Sequence, residues 1–160
     1  MLEDFSQIAQ KLGNKLLKNG LYLATAESCT GGLVAAKLTD IAGSSKWFER
    51  GFVTYSNLAK HELLNVPLEM LKKFGAVSQP TAQAMAEGAL ANSAADIALS
   101  ITGIAGPGGG SDDKPVGTVY FGFACNWQQT DVQHMIFSGN RDIVRMKCVL
   151  HSMKHIIDIL

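Results

Sequence analysis

The chain has 160 residues, a length that fits one domain and leaves no room for a second catalytic domain. Its 14 Lys and Arg residues balance 14 Asp and Glu residues, and 47% of its residues are apolar. This composition is typical of a compact globular protein. The zero net charge argues against non-specific binding to nucleic acid or to an anionic membrane surface.

The N-terminal segment lacks the features of a targeting signal. It carries Glu3 and Asp4 and no continuous apolar stretch, and no later run reaches the ~18 apolar residues that span a bilayer. The three cysteines, Cys29, Cys125 and Cys148, contain no C-x-x-C pair. They suit a reducing compartment better than a disulfide framework or a thiolate zinc site. We therefore expect a cytoplasmic protein without membrane association.

Helices and strands alternate in the first half of the chain. Apolar residues at helical spacing predict an opening amphipathic helix, followed by a short strand over 21–26 and a second helix. Aromatic and β-branched residues predict the next strand over 47–55, and two short helices separated by Pro67 follow it. An alanine-rich helix then begins at Pro80, and its small apolar face suits close packing on a sheet.

The second half of the chain predicts the rest of a sheet. A near-continuous apolar run over 96–102 is typical of a central strand covered on both faces, and a long glycine-rich loop over 103–117 follows it. Two strands over 116–125 and 131–137 predict a hairpin. The pattern predicts an α/β fold, a three-layer α/β/α sandwich with a mixed, mainly parallel sheet and one antiparallel strand, as a single domain over 1–160.

A long C-terminal helix is predicted after Asn140, which serves as its cap. Its apolar residues recur at alternating three- and four-residue steps, at Ile143, Met146, Leu150, Met153, Ile157 and Leu160. A narrow seam of this kind suits helix-on-helix contact and favours a homodimer. Val149 and Ile156 widen the seam, so a role inside the core stays open.

The strongest candidate site is the segment over 27–32, where the first strand ends and a helix begins. The carboxyl ends of parallel strands form the usual ligand crevice of such folds. The Ser28 hydroxyl could attack an electrophile there, while N–H groups of the helix N-terminus stabilise an oxyanion or a phosphate. Ser28 and Thr30 could equally be helix caps only. Cys29 is a competing nucleophile, because a helix N-terminus can lower a thiol pKa.

A serine nucleophile needs a base, and the four histidines are poor candidates for it. His61 falls in a polar helix and His134 in a strand. His151 and His155 lie one turn apart on the last helix, without the glutamate or thiolate that a metal site would add. This spacing favours an exposed helix face.

A lysine is the alternative base if its site is desolvated. Lys60 follows the strand that ends at Tyr55, which places an amine and a phenol at the end of a neighbouring strand. Composition alone favours a solvated helix lysine.

The glycine-rich segment over 102–110 is a third candidate feature. It has neither the Lys-Ser/Thr of a Walker loop nor the G-x-G-x-x-G spacing. Its backbone N–H groups could approach a phosphate, or the segment could be a flexible connector. Asp112 and Asp113 could bind a cation, although adjacent loop acids are usually solvated.

Three segments together, AESCTGG from Ala26, RGFVTYSNLAK from Arg50 and TGIAGPGGGSDDKPVGTV from Thr102, resemble the C-terminal domain of the CinA (competence/damage-inducible) family. The resemblance is to its stand-alone form, which acts as nicotinamide-nucleotide amidase, and covers about residues 25–123. It implies a three-layer α/β/α fold and hydrolysis of the carboxamide of nicotinamide mononucleotide to nicotinate mononucleotide and ammonia. The pyrophosphatase domain of larger family members has no space in this length.

Carried over by position, the resemblance implies that Ser28 is the nucleophile, with Tyr55 and Lys60 as base partners in a Ser–Lys arrangement similar to that of penicillin-recognising enzymes. Backbone N–H groups over 29–31 or 103–104 would stabilise the oxyanion. The expected partner is a small-molecule nucleotide, and no metal or organic cofactor is expected. The expected substrate-binding residues are Cys29, Thr30, Gly31, Thr102, Gly103, Ile104, Gly106 and Gly108.

Two other functions stay open on the sequence. A non-catalytic nucleotide-binding or regulatory module would hold a phosphate with the same loops and use Ser28 only as a cap. A cysteine hydrolase would use Cys29 and lose activity with thiol reagents.

Overall fold

The first helix, α1 (Phe5–Asn19), shows how local chemistry sets the element boundaries. The Asp4 carboxylate accepts a hydrogen bond from the Ser6 N–H, and Gly20 ends the helix in the left-handed conformation. The computed structural model describes residues 4–160, so Glu3 of the N-terminal segment lies outside the described residues. Within that range no helix has both the length and the apolar character needed to cross a membrane.

Five strands and five further helices follow α1. In chain order they are β1 (Leu23–Glu27), α2 (Leu33–Thr39), β2 (Phe48–Val53), α3 (Asn57–Leu64), α4 (Leu68–Phe74), α5 (Gln79–Ala91), β3 (Ile97–Gly103), β4 (Thr118–Cys125), β5 (Gln128–Ile136) and α6 (Arg141–Ile159). A short 3₁₀ turn over Ser44–Lys46 precedes β2.

The strands form one sheet in the order β2-β1-β3-β4-β5. β1 pairs in parallel with both β2 and β3, whereas β4 pairs antiparallel with both of its neighbours. Four strands therefore point one way and β4 points the other. Helices α1, α2 and α6 cover one face and α3, α4 and α5 cover the other. The predicted α/β/α sandwich with a mixed sheet is confirmed.

The hairpin turn is shorter than the sequence predicts. Only two residues, 126 and 127, separate β4 from β5, so β5 begins three residues before the predicted strand. Gln128 and Gln129 have the composition of a loop, but an edge strand exposes one side to solvent and accepts polar residues there.

The apolar seam predicted on α6 is only partly correct. Met153 and Ile157 are buried inside the chain, but Ile143 is exposed. The buried face is centred on Cys148, Val149, Ser152 and Ile156. The helix therefore packs on its own sheet and on α1, and the seam gives no support for a homodimer.

The interpretation of His151 and His155 as an exposed face is wrong. Their rings pack on Phe121 and Phe123 of β4, at centroid distances of 4.6 and 4.2 Å. His151 hydrogen-bonds the Gln133 side chain, and burial lowers its pKa. The sequence misses this because helical spacing alone does not say which side of a helix faces the sheet.

Close packing of α5 against α3 leads to a stability prediction. A Cβ added at Gly88 would lie 1.9 Å from the carbonyl oxygen of Leu64, at the end of α3. We expect Gly88→Ala to lower the free energy of unfolding by about 1–3 kcal/mol, because the backbone at the end of α3 must move to make room for the methyl group. Urea denaturation measures this loss. Gly108→Ala is the matched control, since nothing lies within 4 Å of the added carbon, and an equal loss there would contradict the packing argument.

Candidate active site

Ser28 lies where the three parallel strands end. Its N–H donates to the Ile101 carbonyl of β3 at 2.9 Å, and the Thr54 N–H donates to the Glu27 carbonyl at 2.9 Å. The sheet hydrogen bonds therefore continue one residue past β1. They hold the serine backbone between the ends of β2 and β3, at the edge where ligands bind in parallel sheets.

Lys60 reaches Ser28 from the first turns of α3. Its Nζ donates to the Ser28 Oγ at 3.0 Å and to the carbonyl oxygens of Thr54 at 2.9 Å and Tyr55 at 3.2 Å. Ser56 caps α3 by accepting from the Ala59 N–H, which fixes where the helix begins. Lys60 is only 1% exposed, so the interpretation as a solvated helix lysine is wrong.

Burial determines the protonation of this lysine. Desolvation lowers the pKa of Lys60, because a charged ammonium is costly away from water, and a negative charge on Cys29 would oppose that shift. A lowered pKa increases the fraction of neutral amine near neutral pH. A neutral amine hydrogen-bonded to a hydroxyl can accept its proton, which is the chemistry that activates a serine.

Tyr55 is brought to the site in a different way from Lys60. The contact with Lys60 uses the Tyr55 backbone carbonyl, not the phenol. The side chain is 64% exposed, and its hydroxyl accepts a hydrogen bond from Arg141 at 3.3 Å. Tyr55 therefore lines the mouth of the cleft, and this geometry does not place its phenol between Ser28 and Lys60.

The N-terminus of α2 does not play the role that the sequence suggests. The buried Glu27 carboxylate accepts hydrogen bonds from the N–H groups of Val34 and Ala35, at 2.8 and 3.1 Å. Gly32 is the N-cap, so neither Ser28 nor Thr30 caps this helix. The Glu27 carboxylate already binds the N-terminus of α2, so this terminus is not open to an oxyanion or a phosphate of a substrate. The Ser28 hydroxyl is not used as a cap.

The turn after Ser28 is tightly held. The Gly31 N–H donates to the Ser28 carbonyl at 3.0 Å, so it is not available to an oxyanion. Thr30 is fully buried, and its Oγ1 has no hydrogen-bond partner among the described residues. Arg145 of α6 donates to the carbonyls of Cys29 and Thr30 at 3.2 and 3.0 Å. Of the expected binding residues in this turn, Cys29 is the one that lines the cleft.

Thr102 and Gly103, at the end of β3, form the opposite wall of the cleft. The Thr102 hydroxyl donates to the Ala76 carbonyl at 2.8 Å. The Ile104 N–H donates to Thr118 of β4, so it cannot serve as an oxyanion donor. Because N–H directions alternate along a strand, the Gly103 N–H points the other way, toward β1 and Ser28.

The cleft at Ser28 has a volume of about 220 Å³. A second cleft of about 600 Å³ adjoins it, lined by Pro107 and Val116 and by the start of α6. Ala105 and Arg141 line both. Arg141 also donates to the Gly106 carbonyl at 2.8 Å, which ties the glycine-rich loop to α6. Gly108 lies on the exposed part of this loop and lines neither cleft.

The sequence pattern did not indicate Arg141 and Arg145 of the site, and it gave no role to Glu27 within the segment over 27–32. The two arginines lie four residues apart at the start of α6, so they share one face of the helix. Arginines at this spacing directly after a cap were the available signal. Glu27 gave no such signal, because its contact with α2 depends on how the turn folds.

Comparison with known proteins gives consistent results. The family model for the CinA C-terminal domain matches residues 5–160. The chain is 50% identical over 151 residues to the nicotinamide-nucleotide amidohydrolase PncC of Escherichia coli K12, covering 94% of this chain and 92% of that protein. A putative competence-damage inducible protein of Symbiobacterium thermophilum is 49% identical, and the match covers 37% of it.

Solved structures agree with these sequence matches. The competence/damage inducible protein CihA of Agrobacterium tumefaciens is 44% identical with a TM-score of 0.94, covering 96% of this chain and 94% of that one. The competence damage-inducible protein A of Klebsiella pneumoniae is 36% identical with a TM-score of 0.93, covering 98% and 96%. The fold of this chain is therefore shared over nearly its whole length.

Proposed function

Because the chain belongs to the CinA C-terminal domain family, we propose that it hydrolyses the carboxamide of nicotinamide mononucleotide to nicotinate mononucleotide and ammonia. Relatives named for this activity are 50% identical to the chain over most of their own length. The observation that carries the proposal is the hydrogen bond between the Lys60 amine and the Ser28 hydroxyl in a cleft at the sheet edge.

The proposed reaction proceeds through an acyl-enzyme. Neutral Lys60 accepts the Ser28 proton as the serine oxygen attacks the carboxamide carbon. The tetrahedral intermediate collapses, Lys60 returns the proton to the leaving nitrogen, and ammonia departs. Water then attacks the ester while Lys60 accepts its proton, and Lys60 returns that proton to the Ser28 oxygen as nicotinate mononucleotide is released.

The oxyanion requires two N–H donors close to Ser28. We assign this role to the backbone N–H groups of Cys29 and Gly103, since both residues line the cleft and the Gly103 N–H points toward β1. The carbonyl bonds of Arg145 support this role, because they hold the adjacent peptides of the turn in one orientation.

The two clefts divide the substrate between them. A volume of about 220 Å³ is smaller than the roughly 300–1,000 Å³ of typical ligand pockets, so the first cleft suits only the reacting carboxamide and its ring. The adjoining cleft of about 600 Å³ can take the ribose phosphate. Arg141 lines both clefts and supplies a positive charge for the phosphate.

Assay of the purified chain tests the proposed function. We expect nicotinate mononucleotide and ammonia to appear in equal amounts from nicotinamide mononucleotide. Binding without product would instead support the non-catalytic module. Turnover that survives Ser28→Ala but is lost in Cys29→Ala would support the cysteine hydrolase.

We also propose a cytoplasmic location, which is consistent with three free thiols. A homodimer stays a prediction, and sedimentation of the purified chain would test it.

The activity should rise with pH as Lys60 loses its proton. Since burial lowers the pKa of Lys60, we expect the ascending limb of kcat/KM to lie below the ordinary lysine value of 10.5. A series of initial rates against pH measures it. In Lys60→Arg the guanidinium stays protonated, so the residual rate should lack this limb. An unchanged limb in that variant would assign the titration to another group.

A further inference from the structure

The loop that joins α4 to α5 forms a side of the Ser28 cleft that the proposed reaction does not use. Ala76 and Val77 of this loop line the cleft and are half-buried. Val77 is the largest pure hydrocarbon side chain among the residues that line it. It has no group that reacts or forms hydrogen bonds, so it acts on a bound molecule through contact and shape alone.

This loop is held in place although it has no regular secondary structure. Three consecutive carbonyl oxygens accept hydrogen bonds from side chains of three other elements, namely Phe74 from Lys114 at 3.3 Å, Gly75 from Thr81 at 2.7 Å and Ala76 from Thr102 at 2.8 Å. Each bond fixes the orientation of a planar peptide unit. The loop therefore presents Val77 to the cleft in a pre-organised position, and less order has to be imposed when a ligand binds.

Ala105 approaches the same cleft from the other face of the sheet. It belongs to the core cluster under α1, α2 and α6, whereas Ala76 packs on the cluster under α3, α4 and α5. Both residues line the cleft, and the sheet edge that carries Ser28 lies between the two clusters. Aliphatic groups on two opposing sides, with a nucleophile at the base, suit a flat ring whose edge carries the reacting group.

We propose that Ala76, Val77 and Ala105 form an aliphatic slot for the aromatic ring of the substrate, and that Val77 determines which rings can enter it. The inference rests on the proposed function, because it says how the first cleft reads the ring that carries the carboxamide. The slot contacts the faces of the ring and leaves the carboxamide edge toward Ser28. With a cleft of only about 220 Å³, the slot selects a ring without further substituents.

The expected size of this selection follows from general behaviour of apolar pockets. One methyl or methylene group more or less changes kcat/KM by about 10–200-fold when a pocket fits its substrate closely. The wild type should therefore discriminate against a ring that carries one additional methyl group. Val77→Ala removes two methyl groups from the slot and opens space for that substituent. Val77→Leu adds a methylene group to the slot and narrows it for the natural ring.

The test compares nicotinamide mononucleotide with its analogues methylated at ring carbon 5 or 6, as substrates of the purified full chain. We expect the wild type to prefer the unmethylated nucleotide by about 10–200-fold in kcat/KM, and Val77→Ala to reduce this preference at least about tenfold for one or both analogues. Val77→Leu should lower kcat/KM for the unmethylated nucleotide at least about tenfold.

Two controls separate shape from damage to the fold. Val77→Thr keeps the branching and nearly the volume of the side chain, so it should keep the wild-type preference. Val53→Ala makes the same substitution at an exposed valine that lines neither cleft, and it should also keep that preference. A ratio of kcat/KM values from one preparation does not depend on the fraction of folded enzyme. A merely structural role of Val77 would therefore leave the ratio unchanged.

The inference is overturned by a wild type that accepts both methylated analogues as well as the parent nucleotide, or by a preference that is the same in Val77→Ala. Undiminished kcat/KM in Val77→Leu would also contradict it. If the wild type releases no ammonia from nicotinamide mononucleotide, the proposed function fails by itself. The slot is then judged by calorimetric affinities for the same three nucleotides, where Val77→Ala should change the preference in the same direction, and an absence of binding would overturn the slot as well.

Discussion

Ser28→Ala is expected to lower kcat for nicotinamide mononucleotide by at least about a thousandfold. The substitution removes only the attacking oxygen, and the backbone bond from residue 28 to Ile101 remains. The fold and the affinity for the nucleotide should therefore change little. Ammonia release measures kcat, and isothermal calorimetry measures the dissociation constant in the same variant.

A matched control for this variant is Ser45→Ala, at an exposed serine that lines neither cleft. It should keep wild-type kcat and affinity. Near-normal turnover in Ser28→Ala would exclude the serine mechanism and favour Cys29 as the nucleophile. Loss of binding together with turnover would show that the hydroxyl holds the substrate instead of attacking it.

The sequence predicts the place of the site better than its chemistry. The order of strands and helices was enough to place 27–32 and 102–110 at one edge of the sheet, since the carboxyl ends of parallel strands meet there. Composition alone favoured a solvated Lys60, because the burial of this side chain depends on how α3 sits against the end of β1. The resemblance to a known family is what implied Lys60 as the base that we propose.

The turn at Ser28 shows a second limit of sequence reasoning. A Ser or Thr before a helix predicts a cap, but in the structure the N-cap of α2 is Gly32. The helix N–H groups instead donate to the carboxylate of Glu27, the last residue of β1. Whether a capping hydroxyl or the Glu27 carboxylate binds the helix N–H groups depends on the direction in which the chain leaves β1. The residues around Ser28 do not by themselves determine that direction.

The C-terminal helix illustrates the same limit at the level of packing. Apolar residues are spread widely enough around the helix to define more than one stripe. The stripe that includes Ile143 is not the one that is buried. The buried stripe instead includes two residues with polar atoms, Cys148 and Ser152. Ser152 satisfies its hydroxyl by donating to the Cys148 carbonyl, so a polar residue is tolerated in the core.

Lys60→Met is expected to reduce kcat as severely as Ser28→Ala, because among the described residues no other side chain hydrogen-bonds the Ser28 hydroxyl. The variant keeps most of the side-chain volume but leaves the Thr54 and Tyr55 carbonyls without the amine that binds them. We therefore also expect a loss of about 1–3 kcal/mol in the free energy of unfolding. Urea denaturation and ammonia release, measured on the same preparation, separate the two effects.

The decisive measurement distinguishes a proton acceptor from a structural support. In Lys60→Ala, a small primary amine such as ethylamine can occupy the space of the missing side chain, and it should restore part of kcat in proportion to its neutral form. The restored rate should therefore rise with pH through the pKa of the added amine. Lys72→Met, at an exposed lysine of α4, is the control and should neither lose activity nor respond to the amine. The contrary result is a Lys60→Ala variant with the wild-type free energy of unfolding whose kcat does not rise when the amine is added. Lys60 would then have no role in proton transfer, because an added amine should replace a base that has been removed from an otherwise intact site.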